Sequence, residues 1–205
     1  MKTRISLLLA AALLAAGSCT KRPVQPRFGI AATDTLVSRD GIACKIEYRF
    51  AAFLNGGKSP ALTAIEQANI GYFFDLEAFS GTVREAAAAA IGQFADIYLA
   101  DSLPTGSGNA EYEISAESEG AVVDTLVVYT ITQSSYTGGA HGMYSRENYV
   151  YSLDGGYEIT LADLFTEAQL ESLGRLIRRK LCEQYDVRDD EGLVAAGFCP
   201  EYIAP

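Results

Sequence analysis

The segment 42–50 reads IACKIEYRF and places three charged side chains between larger apolar ones. Because successive side chains of a strand point to opposite faces, this alternation predicts a β-strand with one buried face. Cys44 lies on the apolar side and is interpreted as a buried hydrophobic residue. The signal Asn55-Gly56-Gly57 ends the strand. Folding is therefore predicted to begin near Gly41.

Two helices are predicted after this strand. Ser59 is a typical N-cap residue and precedes Pro60, which suits the first helical position. Thr82 and Glu85 have the spacing of a capping box and open the second helix. The apolar residues of the second helix recur at helical spacing on one stripe. They are Val83, Ala87, Ala90, Ile91, Phe94, Ile97 and Tyr98.

A break rich in Gly, Pro and Ser at 103–109 is predicted to separate two halves, 41–102 and 110–205. Beyond this break the apolar period changes to two, which predicts strands. The order of elements predicts an α+β fold, in which an antiparallel sheet packs against helices in two associated halves.

Turn and cap signals divide the second half. Glu119-Gly120 is predicted to turn the chain before a strand over 122–132, which belongs near the sheet centre because it is apolar on both faces. A strand over 144–153 leads into Asp154-Gly155-Gly156, a hairpin signal. Thr166 then opens a helix with an apolar stripe that is predicted to point inward. The stripe consists of Leu170, Leu173, Ile177 and Leu181.

The N-terminus has the features of an exported lipoprotein. Residues 1–18 combine basic residues, a short apolar run and a small-residue cleavage site, as signal peptides do. Cleavage before Cys19 resembles a lipobox, so Cys19 is predicted to carry a lipid that anchors the chain to a membrane; an ordinary secretory signal is the alternative. Residues 19–40 are predicted to be a tether. No acidic run follows Cys19 as a surface-export tag, so the periplasmic face of the outer membrane is the expected location.

The chain is acidic, with a formal net charge of −10. Such a charge disfavours binding to nucleic acid and to anionic lipid headgroups, and it favours a cationic partner. Solubility alone is the alternative explanation.

Three cysteines remain after Cys19: Cys44, Cys182 and Cys199. An odd number cannot all pair in an oxidising compartment. Cys182, late in a predicted helix, and Cys199, in the irregular segment after it, form the candidate disulfide. The alternative is that they stay free.

The composition argues against catalysis. His141 is the only histidine, so a Ser-His or Cys-His mechanism would have to use it, and Ser134 and Ser135 are near it in sequence alone. Motifs of serine hydrolases, zinc proteases and nucleotide-binding loops are absent from the sequence. We therefore predict a non-enzymatic protein without a cofactor or a metal.

Two acidic features have structural interpretations. The cluster Asp186, Asp189, Asp190 and Glu191 misses the spacing of a calcium loop and is predicted to be a solvated turn. Asp163 is predicted to cap the turn before Phe165.

The candidate binding site is the glycine-rich stretch 136–144. In the structural interpretation, its glycines allow positive φ or a close backbone approach, and His141 hydrogen-bonds the loop to itself. In the functional interpretation, the loop recognises an anion or a sugar. The residues of that site are Tyr136, Gly138, Gly139, His141, Gly142 and Tyr144. A glycan platform of Tyr144, Tyr149, Tyr151 and Tyr157 is a further alternative to half-buried packing of these rings.

Two signatures resemble those of a known family. Residues 136–142 read YTGGAHG and, after a tyrosine-rich strand, residues 159–165 read ITLADLF. The pair resembles a domain-of-unknown-function family found at the C-terminus of the anti-sigma factor RsiV and beside the catalytic domain of the peptidoglycan deacetylase PdaC. Residues 42–101 resemble the PdaC-type domain that precedes it. In that family further strands follow, so the chain is expected to be incomplete past Pro205.

The resemblance implies a non-enzymatic, extracytoplasmic binding domain. The RsiV relative recognises lysozyme, which is strongly cationic, so lysozyme or peptidoglycan fragments are the expected partners in an envelope-stress response. No sigma-binding segment precedes the signal peptide, so an anti-sigma role is not expected. The alternatives are an envelope hydrolase or peptidoglycan deacetylase accessory protein that uses His141, and a structural subunit of an outer-membrane assembly.

Overall fold

The computed structural model describes residues 22–39, 41–99 and 110–205. The predicted signal peptide, Cys19 and the predicted break at 103–109 lie outside these ranges. The strands are β1 (Phe28–Arg39), β2 (Ile42–Phe53), β3 (Ala110–Val123), β4 (Leu126–Tyr136) and β5 (Met143–Ser152). The helices are α1 (Pro60–Phe74), α2 (Val83–Tyr98), α3 (Leu161–Leu164), α4 (Glu167–Tyr185) and α5 (Asp190–Ala195). Short 3₁₀ helices span Gly56–Lys58 and Pro200–Tyr202.

The strands form one sheet in the order β1-β2-β3-β4-β5, and the predicted α+β fold is confirmed. Neighbouring strands are antiparallel except β2 and β3, which run parallel from Ile42 opposite Ala110 to Arg49 opposite Glu117. A parallel pair needs a long crossover connection, and α1 and α2 lie in it. The two predicted halves are therefore joined by strand pairing within a single sheet.

The core lies between α1, α2 and one side of the sheet, which we call the helix face. In β2 this face carries the predicted apolar residues Ile42, Cys44, Ile46, Tyr48 and Phe50, which are all buried. The side chains between them point to the opposite side, which we call the open face. The predicted strand with one buried face is thus confirmed.

The prediction that residues 19–40 form a tether is wrong for Phe28–Arg39, which pair with β2 along their whole length. The apolar side chains of β1 do not mark its inner side, because Ile30 and Leu36 are 62% and 70% exposed. Backbone pairing with β2 holds this edge strand along its whole length, and the side chains of β1 that pack against the core, Phe28, Ala31 and Val37, are only partly buried. Hydrophobic periodicity therefore carried no signal for it.

The predicted turn at Glu119-Gly120 is also wrong. β3 continues to Val123, and the turn follows it at Asp124, which has a φ of 55°. Gly120 is required for space, since a Cβ there would lie 2.0 Å from the ring of Phe28. A strand glycine can thus mark a close approach of another group.

The predicted helix starts at Pro60, Thr82 and Thr166 agree with α1, α2 and α4. The capping box of α2 is formed: the backbone N–H of Glu85 donates to Thr82 Oγ1 at 3.3 Å, and that of Thr82 donates to Glu85 Oε2 at 2.8 Å. No helix among the described residues is long and apolar enough to cross a membrane.

The apolar stripe of α4 is half-buried rather than inward, and none of its residues joins the core. The helix packs against α5 and the C-terminal tail. Arg178 donates to the carbonyl of Pro200 at 2.8 Å, and the rings of Tyr185 and Phe198 meet edge to face at 4.7 Å.

The candidate disulfide between Cys182 and Cys199 is not formed, and all three described cysteines are free. Phe198 packs on α4, and the backbone at Cys199 is extended, so the exposed Cys199 side chain turns away from that helix. Cys44 is fully buried, as predicted.

A closed hydrogen-bond network joins three strands inside the core. The Tyr129 hydroxyl donates to the carbonyl of Ala51 at 2.9 Å and lies 2.8 Å from Ser118 Oγ, which accepts from the backbone N–H of Ala51 at 2.8 Å. Tyr151 is equally buried, but its hydroxyl has no hydrogen-bond partner among the described residues.

We expect opposite outcomes from removing these two hydroxyls. Tyr129→Phe leaves buried groups of Ser118 and Ala51 short of a partner and should lower the free energy of unfolding by about 1–3 kcal/mol. Tyr151→Phe removes an unpaired buried hydroxyl and should leave it unchanged or raise it. Urea denaturation of both variants measures the difference, and equal losses would contradict the network.

Burial raises the pKa of the Cys44 thiol to about 11. The folded protein holds this proton more tightly than the unfolded chain does. The contribution of Cys44 to stability is therefore complete below about pH 8.5 and is lost as the pH rises toward about 11. We expect Cys44→Ala to reduce the loss of stability between about pH 8 and about pH 10. Cys182→Ala is the control in urea denaturation, and an equal change in both variants would contradict the expectation.

Candidate binding surface

The open face of the sheet carries an excess of carboxylates. Register and alternation place six carboxylates on it: Asp34, Glu47, Glu111, Glu113, Glu117 and Glu119. The described strands add three cations: Lys45, Arg49 and Arg146. This face is therefore negatively charged, and α1 and α2 leave it uncovered because they lie on the other side.

Ion pairs on this face involve the carboxylates of β1 and β2 but only one of the four glutamates of β3. Arg49 pairs with Asp34 at 2.7 Å, and Lys45 pairs with Glu47 at 2.8 Å. Lys45 also reaches Glu113 at 3.8 Å. The other three glutamates of β3 are exposed and form no ion pair with a described residue. They are Glu111, Glu117 and Glu119.

Hydroxyl groups lie next to this row of carboxylates. Thr132 of β4 is opposite Glu117, Thr130 is opposite Glu119, and Ser134 is opposite Ser115. Thr130 already donates to the side chain of Asn148 at 2.8 Å. The open face thus offers exposed carboxylates beside short hydroxyl side chains, which suits hydrogen bonding to a cationic protein surface.

The glycine-rich stretch forms the β4–β5 hairpin loop at one end of the sheet. Gly138 and Gly139 have φ of 93° and 90°, and the Tyr136 hydroxyl donates to the carbonyl of Gly139 at 3.1 Å. A Cβ at Gly142 would lie 2.6 Å from the carbonyl oxygen of Ser135. The glycines therefore supply positive φ and close approach, as the structural interpretation predicted.

His141 does not hold the loop, contrary to that interpretation. Its side chain is exposed, and no hydrogen bond joins it to another described residue. Neither Ser134 nor Ser135 is hydrogen-bonded to it. His141 is thus presented to solvent at the tip of the hairpin.

The structure brings Tyr136 and Tyr144 together. Tyr144 lies opposite Ser134, which is the open-face neighbour of Tyr136 on β4. The side chain of Tyr136 is 42% exposed and that of Tyr144 is 67% exposed. The broader tyrosine platform is not formed. Tyr149 and Tyr151 point to the helix face, and Tyr157 lies in the turn that follows β5.

A cleft of about 300 Å³ lies on the helix side beneath the hairpin. Its lining combines the aromatic rings of Tyr48, Phe73, Phe74, Phe94 and Tyr98 with polar side chains that include Asp75, Gln93 and Gln133. Sequence reasoning missed it because α1, α2 and four strands each supply one or a few residues, and each set also fits ordinary core packing. A concave site that combines aromatic rings with polar groups suits a small organic ligand.

The other acidic residues have local roles. Asp163 Oδ2 accepts from Thr160 at the start of α3, as predicted, and Asp189 caps α5 by accepting from the backbone N–H of Gly192 at 3.0 Å. Asp190 pairs with Arg178 of α4. No group of three or more potential ligands is arranged to hold a metal ion in the described part of the chain.

Comparisons with known proteins identify the fold alone. No protein-family model and no curated protein matches the sequence. A solved structure of a DUF3298 family member from Bacteroides fragilis is similar with a TM-score of 0.70 and 22% identity, covering 90% of this chain and 79% of that chain. A DUF3298 family protein from Pseudomonas aeruginosa gives a TM-score of 0.50 and 17% identity, covering 78% and 67%. These neighbours agree with the predicted domain-of-unknown-function fold, and the RsiV and PdaC likenesses stay predictions.

Substitutions in the hairpin separate its two interpretations. Gly142→Ala should lower the free energy of unfolding by about 1–2 kcal/mol, because the new methyl group collides with the backbone of Ser135. His141→Ala should change it by less than about 0.5 kcal/mol, because the side chain is exposed. Urea denaturation decides, and a loss above about 1 kcal/mol for His141→Ala would restore its predicted structural role.

Proposed function

We propose that this chain is a non-enzymatic binding module of the bacterial cell envelope, and that the open face of its sheet binds a cationic protein. Lysozyme is the candidate partner. The observation that carries the proposal is the row of exposed, largely unpaired glutamates on β3. A row of like charges on one strand is costly to the isolated protein, and a cationic partner would relieve that cost.

The size and shape of the open face favour a protein partner. Five strands about 4.8 Å apart and roughly ten residues long make a surface of roughly 600–700 Å². That area approaches the about 800 Å² that each partner buries in a standard complex. Small ligands instead bind in concave sites.

Electrostatics would act mainly on the rate of association. The open-face glutamates are exposed, so pairing them with a partner's lysine or arginine costs little desolvation and contributes modest energy per pair. Their summed field steers a cationic protein toward the sheet, and this effect weakens as salt rises. Binding should therefore be faster and tighter at low ionic strength.

The surroundings of His141 support a binding role over catalysis. A nucleophile needs a base within hydrogen-bond reach and a third group that orients the base. His141 has no such neighbour among the described residues.

We propose the lipid anchor on Cys19 from the sequence. The start of β1 limits the distance between that lipid and the sheet. Because β1 begins at Phe28, a lipid on Cys19 would leave at most a segment of nine peptide units before the sheet. Such a segment spans no more than on the order of 30 Å when fully extended. The binding face would then work close to the membrane surface.

Capture by immobilised lysozyme tests the proposal. The variant in which Glu111, Glu113, Glu117 and Glu119 are replaced by Gln should bind at least about 10-fold more weakly than the wild type, a loss of about 1.4 kcal/mol. The control replaces Glu167, Glu171, Glu191 and Glu201 by Gln. These are exposed and lie outside the sheet, so the control has the same net charge.

Equal weakening of both variants would assign binding to net charge and contradict the open face. No retention of the wild type at low or physiological salt would end the lysozyme proposal. Muropeptides serve as a second probe, because Tyr136 and Tyr144 offer adjacent rings for a sugar. Their retention, lost in Tyr144→Ala, would assign the face to peptidoglycan instead.

A further inference from the structure

One end of the sheet is the end at which the first strand begins. β1 and β4 start at this end, and β2, β3 and β5 finish there. The connections 54–59, 124–125 and 153–157 therefore lie at this end, and the backbone N–H of Leu153 donates to the carbonyl of Thr125 at 2.9 Å. We call this end of the sheet, with its three connections, the anchor end. The hairpin loop between β4 and β5 lies at the opposite end.

A hydrogen-bonded clamp fixes the chain at the anchor end before β1 begins. The backbone N–H of Arg27 donates to Asn55 Oδ1 at 2.7 Å, and Asn55 Nδ2 donates to the carbonyl of Gln25 at 2.9 Å. Pro26, between the two clamped residues, is buried. A lipid on Cys19 would therefore be six peptide units, from 19 to 25, away from a fixed residue. Such a segment reaches roughly 20 Å at most, so it would hold the anchor end near the membrane.

The anchor end carries exposed apolar side chains from three separate segments. Leu54 follows β2, Val123 ends β3 and Tyr157 follows β5, and each of them is more than half exposed. Two of these side chains lie against backbone that only glycine allows. A Cβ at Gly29 would be 2.6 Å from Leu54, and a Cβ at Gly155 would be 2.3 Å from the ring of Tyr157. The apolar surface is thus part of the packed end of the sheet.

The charges of the anchor end balance, in contrast to those of the open face. Its connections and the adjacent residue 27 contain two exposed cations, Arg27 and Lys58, and two exposed carboxylates, Asp124 and Asp154. A surface without net charge meets no repulsion from phospholipid headgroups. Tyrosine beside aliphatic side chains suits the boundary between headgroups and acyl chains, because the ring is apolar and the hydroxyl is polar.

We propose that the anchor end rests on the phospholipid bilayer that holds the lipid of Cys19, with Leu54, Val123 and Tyr157 among the headgroups. This inference rests on the proposed lipid anchor. A few exposed side chains bind a bilayer only weakly, but a short tether keeps them at a high effective concentration beside it. The hairpin loop would then point away from the membrane, and the open face would stay accessible to a protein partner.

Tryptophan fluorescence tests this contact, because the sequence contains no Trp. Tyr157→Trp and Val123→Trp place a reporter at the anchor end at two independent positions. Tyr144→Trp is the matched control, since it makes the same chemical change near the hairpin loop. Each full chain is lipidated in a bacterial host and reconstituted into phosphatidylcholine vesicles with brominated acyl chains, which quench Trp on contact. Circular dichroism checks that each variant folds.

We expect both anchor-end reporters to lose most of their fluorescence relative to vesicles without bromine, and to emit at shorter wavelength. The reporter at 144 should keep its fluorescence. Because the contact is apolar, quenching should persist at high salt, where exposed charges are screened. Quenching that disappears at high salt would overturn the apolar contact.

Flotation separates failure of the contact from failure of the anchor. The full chain should float with the vesicles and Cys19→Ser should not. A full chain that does not float would contradict the lipid anchor, and this inference with it. A chain that floats while both anchor-end reporters stay unquenched would overturn the contact and leave the anchor standing. Equal quenching of all three reporters would overturn the orientation. Lysozyme capture uses no vesicles, so its result is independent.

Discussion

The parallel pairing of β2 with β3 is the constraint on which the rest of the structure depends. Parallel neighbours cannot be joined by a tight turn, so the chain between them must travel back along the sheet. Both α1 and α2 lie in that connection and cover one side of the sheet. The strands then present core residues to that side, while the charged residues of β2 and β3 lie on the other side in contact with solvent. The division into a helix face and an open face follows from one pairing.

The proposed binding surface follows from that division. The open face collects the charged residues that alternate with the core residues of β2 and β3, so its acidity is a by-product of the same period of two that builds the core. Gln67 and Gly81 exchange hydrogen bonds of 2.9 and 3.1 Å that set the course of the chain after α1.

Buried polar contacts fix the position of α1 relative to the sheet. The Tyr129 network lies where β2 leaves β3, since pairing ends at Arg49. Glu66 of α1 accepts from the backbone N–H of Phe53 at 2.7 Å, and burial raises its pKa against the opposing effect of that bond. A Cβ at Gly156 would lie 2.6 Å from Ala61, so the turn after β5 rests directly on α1. These contacts fix α1 between the start of the crossover and the last hairpin.

Short sequence patterns correctly predicted the features that depend on a few neighbouring residues. The alternation around Cys44, the capping boxes at Thr82 and Thr166 and the glycines of the hairpin loop were all interpreted correctly, because each depends on a few neighbouring residues. Tertiary structure alone decided the rest. β1 pairs with β2 along its whole length, and Gly120 makes room for Phe28. The stacked rings of Tyr72 and Tyr149 come from elements far apart in the chain. Contacts between distant segments produce no periodic pattern in either segment, so they could not be predicted from the sequence.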